Sequence, residues 1–396
     1  QLGDGFAHKG WLGEAIKQYR RALEIAPENA HYHSRLGALL AQNGQAGEAY
    51  EMLRRATALE PGDPFILCDL GDLYAAQDLA QEAERAYTRA AEVCGDDAQA
   101  LQRIGLSLHK LGKAEQALRL LKEASRDGDA ASSLARRAAG SILAEQGRLE
   151  EALGELEHAL RLDPGDSVNW GMLARVQWQM GRALEAEKSL RTAIDRNGAI
   201  AEHYALLGQI YESQGRTDEA LEAYQNAATL EPDNPDIQRG LAAALRKQGR
   251  TADAIQALAH VLQANPDDAA SHAEMAELHE AAGALEQAIA EWERAAELAP
   301  TNQTYALALG RAMLQAHWSA KALPVLEQAV RIDPAQPESH YLLGLAHEAV
   351  GNDGDATVAL KRAYKLAPSE PRYVLALASR IRRDLAQARQ EQVLLS

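Results

Sequence analysis

Small residues recur along this chain at an interval of 34 residues, with one step of 35. They stand at Gly37, Gly71, Gly105, Gly140, Ala174, Gly208, Ala242, Ala276, Gly310, Gly344 and Ala378. Twelve positions after each of the first ten stands an alanine, as at Ala49. Between these positions, apolar residues spaced three or four apart form one stripe of a helix. The pattern therefore predicts pairs of amphipathic helices stacked into one elongated array, and it favours binding over catalysis.

The unit at residues 30–63 indicates where its two helices begin and end. Asn43-Gly44 interrupts the apolar stripe and predicts a tight turn. Pro61 ends the second helix, because proline cannot donate the next backbone hydrogen bond. The following unit opens with Asp63-Pro64. Proline suits the first helical position, and an aspartate before it can cap the free amides.

The order of these residues resembles the tetratricopeptide repeat family. One copy that follows the family's pattern contains Tyr204, Leu207, Gly208, Tyr211, Gly215, Ala220, Tyr224, Ala227 and Pro232. The resemblance covers nearly the whole chain as about eleven repeats. It implies an all-α fold, an α-solenoid whose helix-turn-helix repeats form a right-handed superhelix, and a role in protein or peptide recognition.

The repeat register divides the chain into three parts. Residues 1–29 correspond to a partial first repeat, and residues 371–396 to a C-terminal capping helix and tail. Ten complete repeats lie between them, at 30–63, 64–97, 98–131, 133–166, 167–200, 201–234, 235–268, 269–302, 303–336 and 337–370. The capping helix is expected to cover the last repeat while its arginines, among them Arg380, face water.

Three departures from the pattern fall inside the array. One extra residue lies within 126–133, His317 replaces the turn glycine of its repeat, and Pro324 lies inside an expected helix. We interpret the extra residue as a loop insertion. Pro324 would remove one hydrogen bond and kink the helix axis, which either shapes a site or is tolerated.

Composition narrows the classes of partner. The chain has 57 acidic and 41 basic residues and a net charge of −16, which disfavours nucleic acid and anionic membranes as general partners. No apolar run approaches the roughly 20 residues that span a bilayer, so we expect a soluble chain without membrane insertion. The incomplete first repeat leaves the compartment open, with the cytoplasm favoured over export.

Signals for catalysis and metal binding are missing from the sequence. It contains no phosphate-binding loop, nucleophile motif or structural zinc spacing, so we predict no enzyme activity, no cofactor and no metal site. Histidines on the core stripe are expected to be packed: His272, His279, His340 and His347. Cys68 and Cys94 should lie at opposite ends of one helix pair, which disfavours a disulfide.

The face of each first helix that points away from the core stripe is the expected binding surface, since the resemblance places it in the inner groove of the superhelix. Basic residues there could bind an acidic peptide or a C-terminal carboxylate. The candidates are Arg103, Arg137, Arg175, Arg239 and Arg246. The favoured alternative is pairing with acids of neighbouring repeats. The expected pairs are Arg239 and Arg246 with Glu274 and Glu280, and Arg35 with Asp69.

Large apolar side chains on the same face are candidate anchors for a bound segment. One set contains Met172, Trp178 and Leu206. The other set contains Leu307, Leu314, Tyr341, Leu342 and Leu345. The alternative is that the members of each set pack on one another as ordinary contacts between repeats.

The sequence thus predicts a non-catalytic scaffold or adaptor that binds an extended peptide or a partner helix in its groove. One alternative is a sensing or docking arm of a larger enzyme or signalling protein, which the incomplete first repeat favours. Another is self-assembly, with the start of one chain stacked on the end of the next. Light scattering that rises with concentration would support self-assembly.

Overall fold

In the stretches that its computed structural model describes, residues 2–126, 128 and 130–395, the chain folds into α-helices and no strands. It divides into two compact units, Gln1–Gly198 and Ala199–Ser396. Within each unit every helix packs against the next one along the chain. The predicted all-α solenoid class is therefore confirmed. No helix in the described stretches combines the length and apolarity needed to cross a membrane.

The helices alternate between first and second members of a pair. The first unit contains α1 Leu2–His8, α2 Leu12–Ile25, α3 Ala30–Gln42, α4 Ala46–Leu59, α5 Pro64–Ala76, α6 Ala80–Val93, α7 Ala98–Lys110, α8 Ala114–Ala124, α9 Ala130–Glu145, α10 Leu149–Leu162, α11 Ser167–Gln179 and α12 Ala183–Arg196. The second unit contains α13 Ala201–Ser213, α14 Thr217–Leu230, α15 Pro235–Lys247, α16 Thr251–Ala264, α17 Ala269–Ala281, α18 Leu285–Leu298, α19 Gln303–Gln315, α20 Ser319–Ile332, α21 Pro337–Val350, α22 Asp353–Leu366 and α23 Pro371–Leu395. Odd-numbered helices are the first members of the pairs.

Side-chain caps fix the start of most first helices. Oδ1 of Asp63, just before α5, accepts hydrogen bonds from the backbone N–H groups of Phe65 at 2.7 Å and Ile66 at 3.1 Å. Equivalent caps are Asn29, Asp97, Asp166, Asn234, Asp268 and Asn302. Such a cap satisfies amides that lack a partner inside the helix and stabilises it by about 1 kcal/mol. The predicted capping role of Asp63 is confirmed.

A residue with positive φ turns the chain between the two helices of each pair. Glycine usually stands there, as Gly44 does at φ +77°, because a residue without Cβ adopts this conformation at little cost. His317 takes φ +59° and Asp78 takes φ +58° at the same position. Each therefore carries a conformational cost of about 1 kcal/mol. The sequence pattern indicated His317 but not Asp78.

Paired helices approach closely because a small residue of the first faces a large residue of the second. A Cβ on Gly37 would lie 2.6 Å from Cγ of Leu53, and one on Gly71 would lie 2.4 Å from the ring of Tyr87. The large residue always stands sixteen positions after the small one and is buried. This set contains Leu53, Tyr87, Leu121, Leu156, Leu190, Tyr224, Leu258, Trp292, Leu326 and Leu360.

The extra residue within 126–133 makes the connection between α8 and α9 five residues long, against four between α4 and α5, as expected of a loop insertion, and both flanking helices change length as well. α8 has 11 residues, whereas the other second helices in the described stretches have 14. α9 begins at Ala130 and has 16 residues, whereas most first helices have 13. No proline precedes α9 and alanine is a strong helix former, so this helix begins one turn early. Pro324, by contrast, lies inside an uninterrupted α20.

The last helix, α23, packs against α22 as a capping helix would. The expectation that its arginines face water is wrong for Arg380, which is only 2% exposed. Its guanidinium forms ion pairs with Asp353 and Asp384, so two carboxylates satisfy the buried charge. Apolar side chains face water on this helix instead, with Leu375 67% exposed and Leu385 57% exposed.

Candidate functional site

Arg103 lies in a polar network that joins α3, α5 and α7. Its guanidinium contacts Asp69 and donates to Oδ2 of Asp72 at 3.1 Å. The Ser34 hydroxyl also donates to Asp69, which is 8% exposed. The partners of Asp69 are therefore Ser34 and Arg103, not Arg35, which corrects the predicted pair. With two carboxylate partners already bound, Arg103 is poorly placed to receive an acidic ligand.

Two further candidate arginines pair with the cap of the next first helix. Arg137 Nη1 lies 2.6 Å from Oδ2 of Asp166, and Arg239 Nη1 lies 3.0 Å from Oδ2 of Asp268. Both aspartates use their other oxygen to cap a helix. The spacing of 29 residues between arginine and cap is the same in both pairs, so the sequence carried a signal for them. Arg175 is exposed in the first unit.

Arg246 also pairs with an acid, though not the predicted one. Its Nη1 donates to Oε2 of Glu277 at 3.0 Å. Glu280 instead accepts a hydrogen bond of 2.9 Å from the indole N–H of Trp292. Arg239 and Arg246 do lie near Glu274, as predicted. Their guanidiniums nevertheless form ion pairs with Asp268 and Glu277 instead of Glu274 and Glu280.

A cavity of about 490 Å³ lies between α15 and α17. Its polar lining residues are Arg239, Arg246, Glu274 and Glu277, and its other lining residues are Gly240, Ala242, Ala243, Leu258 and Leu278. α13 contacts α15, and α19 contacts α21, whereas few residues of α15 approach α17. The small side chain of Ala243 leaves this space unfilled, whereas the missing Cβ of Gly240 makes room for the ring of Tyr224, which it would otherwise approach to 2.3 Å. The cavity opens on the predicted binding face.

Glu274 is the one lining carboxylate of this cavity whose charge has no direct partner. In the described part of the chain it makes no hydrogen bond and no ion pair, and it is half-buried. Burial raises the pKa of the Glu274 carboxyl, and the nearby Arg246 and Arg239 lower it by less. An acceptor that has lost part of its hydration without gaining a hydrogen bond is well suited to a donor from outside the chain.

The apolar set of the second unit divides into buried and partly open members. Leu307 is 8% exposed and Leu342 is 5% exposed, both inside a core cluster. Leu314, Tyr341 and Leu345 are half-buried against the same cluster. Contact between α19 and α21 covers the two buried leucines, so they hold these helices together. The other three leave apolar surface open.

Tyr341 is covered in part by the start of α23. Its ring centroid lies 5.0 Å from that of Tyr373. The guanidinium of Arg372 stands 5.8 Å from the Tyr341 centroid and 5.6 Å from the Tyr373 centroid, over both rings. Cation–π contact and ring packing therefore hold Tyr341 in place, which leaves Leu314 and Leu345 as the more open members of the set.

The other apolar set is divided between the two units. Met172 and Trp178 are half-buried in the first unit, where Met172 packs against a cluster that includes Leu143 and Leu160. Leu206 belongs to the second unit and is 9% exposed. A binding role for these three residues stays a prediction.

His272 and His340 are half-buried, as expected of packed histidines. Nε2 of each lies close to the carbonyl of the proline six residues earlier, at 3.1 Å and 2.9 Å, so it donates a hydrogen bond there. The structure also brings together His31, Glu60 and Asp63, whose potential ligand atoms lie within 4.8 Å of one another at the surface. These three could hold a metal ion, although Asp63 already caps α5.

Cys68 and Cys94 are free and buried. Burial raises the pKa of the Cys68 thiol to about 12, and it raises the pKa of the Cys94 thiol as well. A thiol that stays protonated is a poor nucleophile and a poor metal ligand. The two cysteines therefore act as small apolar residues of the core.

Comparison with protein families places repeat models along most of the chain. The model described as the cytochrome c-type biogenesis protein H TPR domain matches residues 187–306. Models described as TPR repeat or tetratricopeptide repeat match residues 3–44, 143–210, 103–167 and 307–371. The first match includes the cavity between α15 and α17. No curated protein matches the chain.

Several solved structures are similar to this chain at low identity. The C-terminal part of a TPR repeat-containing protein from Cytophaga hutchinsonii is 16% identical, with a TM-score of 0.52 over 60% of this chain and 98% of that one. MamA is 21% identical over 41% of this chain and 95% of its own, with a TM-score of 0.37. Yeast Tom70 is 15% identical over 98% of this chain and 95% of its own, with a TM-score of 0.38. At 16% identity, the likeness to the first of these structures extends to the fold alone.

Proposed function

Because this chain belongs to the tetratricopeptide repeat family, we propose that it is a non-catalytic scaffold that binds an extended segment of a partner protein. The proposed contact surface lies in the second unit. It is formed by the faces of the first helices α15, α17, α19 and α21 that point away from the core stripe. The family fold generally serves as a scaffold for protein partners. Self-assembly and a role as the arm of a larger protein stay alternative predictions.

The observation that carries this proposal is the cavity between α15 and α17. A binding cleft needs an apolar floor, a few convergent polar groups and room for a side chain. Ala243 and Leu278 belong to such a floor, and Glu274 is such a polar group. Further along the same series of first helices, Leu314 and Leu345 offer apolar surface. An occupant that reaches both places would contact a polar site and an apolar site at once.

Filling the cavity is expected to weaken peptide binding strongly without unfolding the protein. Peptides would first be selected from a displayed library of random 16-residue sequences on the wild-type chain, then synthesised with a fluorescent label. In Ala243→Trp the indole occupies the space between α15 and α17, so we expect affinity for the selected peptides to fall at least about tenfold, which corresponds to about 1.4 kcal/mol. Fluorescence anisotropy gives the affinity.

The matched control is Gln225→Trp, which places the same indole at an exposed position of the second helix α14. It should bind the peptides as the wild type does. Circular dichroism melting should give both variants a midpoint near that of the wild type. Undiminished binding by a folded Ala243→Trp variant would exclude the cavity as the contact surface.

A further inference from the structure

Charges around the cavity between α15 and α17 do not balance. Two guanidiniums, of Arg239 and Arg246, stand among four carboxylates. These acids are Asp236, Asp268, Glu274 and Glu277. The carboxylates outnumber the guanidiniums, so the net charge around the cavity is negative. Glu274 is the carboxylate among them that has no direct partner. We propose, on the basis of the function proposed above, that the cavity accepts the lysine or arginine side chain of the bound segment, with Glu274 as its acceptor.

The arginines of the cavity are already engaged, which argues against an acidic occupant. Arg239 contacts Asp268 at 3.0 Å and Asp236 at 2.9 Å. Arg246 contacts Glu277 at 3.0 Å. A carboxylate from outside would have to displace one of these acids, so one ion pair would be exchanged for another with little net gain. The paired arginines therefore disfavour the acidic ligand that the sequence alone indicates.

A basic occupant would instead form an interaction that the free protein lacks. Glu274 is half-buried and makes no hydrogen bond in the part of the chain that the structure describes. An ammonium or guanidinium group could donate a hydrogen bond to the Glu274 carboxylate. Hydrogen bonds between charged groups are among the stronger ones in proteins. The two arginines repel a cation, but their own carboxylate partners lie within 3.0 Å and offset most of that repulsion.

The lining of the cavity also suits the stem of a basic side chain. Lysine and arginine bury their methylene groups along apolar surface while the charged end keeps a polar partner. Ala242, Ala243, Leu258 and Leu278 provide that apolar surface, and a cavity of about 490 Å³ has room for either side chain. The net charge of −16 over the whole chain further favours encounters with basic segments.

The test uses the library-selected peptides as probes. For each peptide, every lysine and every arginine is replaced in turn by norleucine, which keeps an apolar stem and removes the charged group. We expect the selected sequences to be enriched in lysine and arginine. One replacement should weaken binding to the wild type about tenfold and leave binding to Glu274→Gln almost unchanged, because that variant has already lost the acceptor charge. Glu222→Gln, at an exposed position of α14, is the matched control.

Thermal melting separates this effect from unfolding. Since burial raises the pKa of Glu274, its ionised form disfavours the fold once the pH exceeds that pKa, so the penalty is present at pH 7 and vanishes at low pH. Glu274→Gln should therefore melt at pH 7 no lower than the wild type. A markedly lower midpoint would show that Glu274 is a structural residue and would overturn the proposal.

The remaining outcomes distinguish this inference from the function on which it rests. Peptides that bind without basic enrichment, or that lose nothing with norleucine, would overturn the basic-residue site while leaving the scaffold function intact. A selection that enriches no binding sequence from the library would contradict both.

Discussion

Trp292→Ala is expected to destabilise the second unit by about 3–5 kcal/mol, the cost typical of removing a buried tryptophan. The Trp292 side chain is 4% exposed, and its indole N–H donates to Glu280 at 2.9 Å. Its ring lies 6.0 Å from that of Tyr305 and belongs to the cluster that joins α17 to α21. Truncation would leave a cavity between helix pairs and remove the partner of Glu280.

Hydrogen exchange measured by mass spectrometry is the suitable readout, because neighbouring repeats can open locally. We expect amides of α17, α18 and α19 to exchange more than about 100-fold faster in the variant, since each 1.4 kcal/mol is a factor of ten. Trp292→Leu is the control, because leucine occupies the equivalent position in most repeats. It should lose much less protection. Equal protection in Trp292→Ala and the wild type would contradict the assigned packing.

Gly71→Ala is expected to destabilise the first unit by about 1–2 kcal/mol, even though alanine is the better helix former. The new Cβ would lie 2.4 Å from Cε1 and 2.7 Å from Cδ1 of Tyr87. That ring is 1% exposed, and its hydroxyl donates to Asp72 at 2.7 Å, so it cannot move aside easily. The clash outweighs the gain of about 1 kcal/mol in helix propensity. Urea denaturation gives the free energy of unfolding.

A second substitution tests the cause of that loss. Gly71→Ala combined with Tyr87→Leu recreates the pair Ala174 and Leu190, in which both side chains are fully buried. We expect the double variant to be more stable than the sum of the single effects by at least about 1 kcal/mol. Gly62→Ala is the control, since nothing lies within 4 Å of a Cβ there. Additive effects in the double variant would exclude the proposed clash.

Periodicity was sufficient to predict the fold because each structural role recurs at its own position. Gly37 and Leu53 meet across a helix pair, and the same contact returns in later pairs that have glycine at this position, as between Gly105 and Leu121. Asp63 illustrates a second recurring role, since its cap depends only on residues next to it in sequence. Roles set by local spacing can be inferred from a single sequence without knowing how closely neighbouring repeats pack.

The burial of the candidate site residues depends on how closely neighbouring repeats pack, so it could not be predicted from the sequence. Helical geometry indicates which face a residue occupies, but not how near the next helix comes. Leu307 and Leu342 lie on the predicted face and are nevertheless buried, because α19 contacts α21. Between α15 and α17 the same face stays open, so Glu274 borders a cavity. Small differences between neighbouring repeats decide which residues are available to a partner.

The sequence predicts that these arginines form ion pairs with acids of neighbouring repeats, but it does not predict which carboxylate each arginine contacts. An arginine side chain reaches several carboxylates of the next repeat, and its rotamer decides among them. Residue spacing predicts Glu274 or Glu280 as the partner of Arg246, whereas its guanidinium forms an ion pair with Glu277. That single difference leaves Glu274 without a direct partner, and the proposed basic-residue site depends on it.

Photocrosslinking shows directly whether a bound segment lies in the cavity between α15 and α17, because it identifies the residues that the segment contacts. A library-selected peptide would carry a diazirine residue beside its key basic residue, and the crosslinked residues of the chain would be identified by mass spectrometry. Crosslinks are expected on the first helices α15 and α17, near Ala243 and Leu278, and they should disappear when unlabelled peptide competes. Competable crosslinks confined to the second helices α14, α16 and α18 would contradict the proposed contact surface.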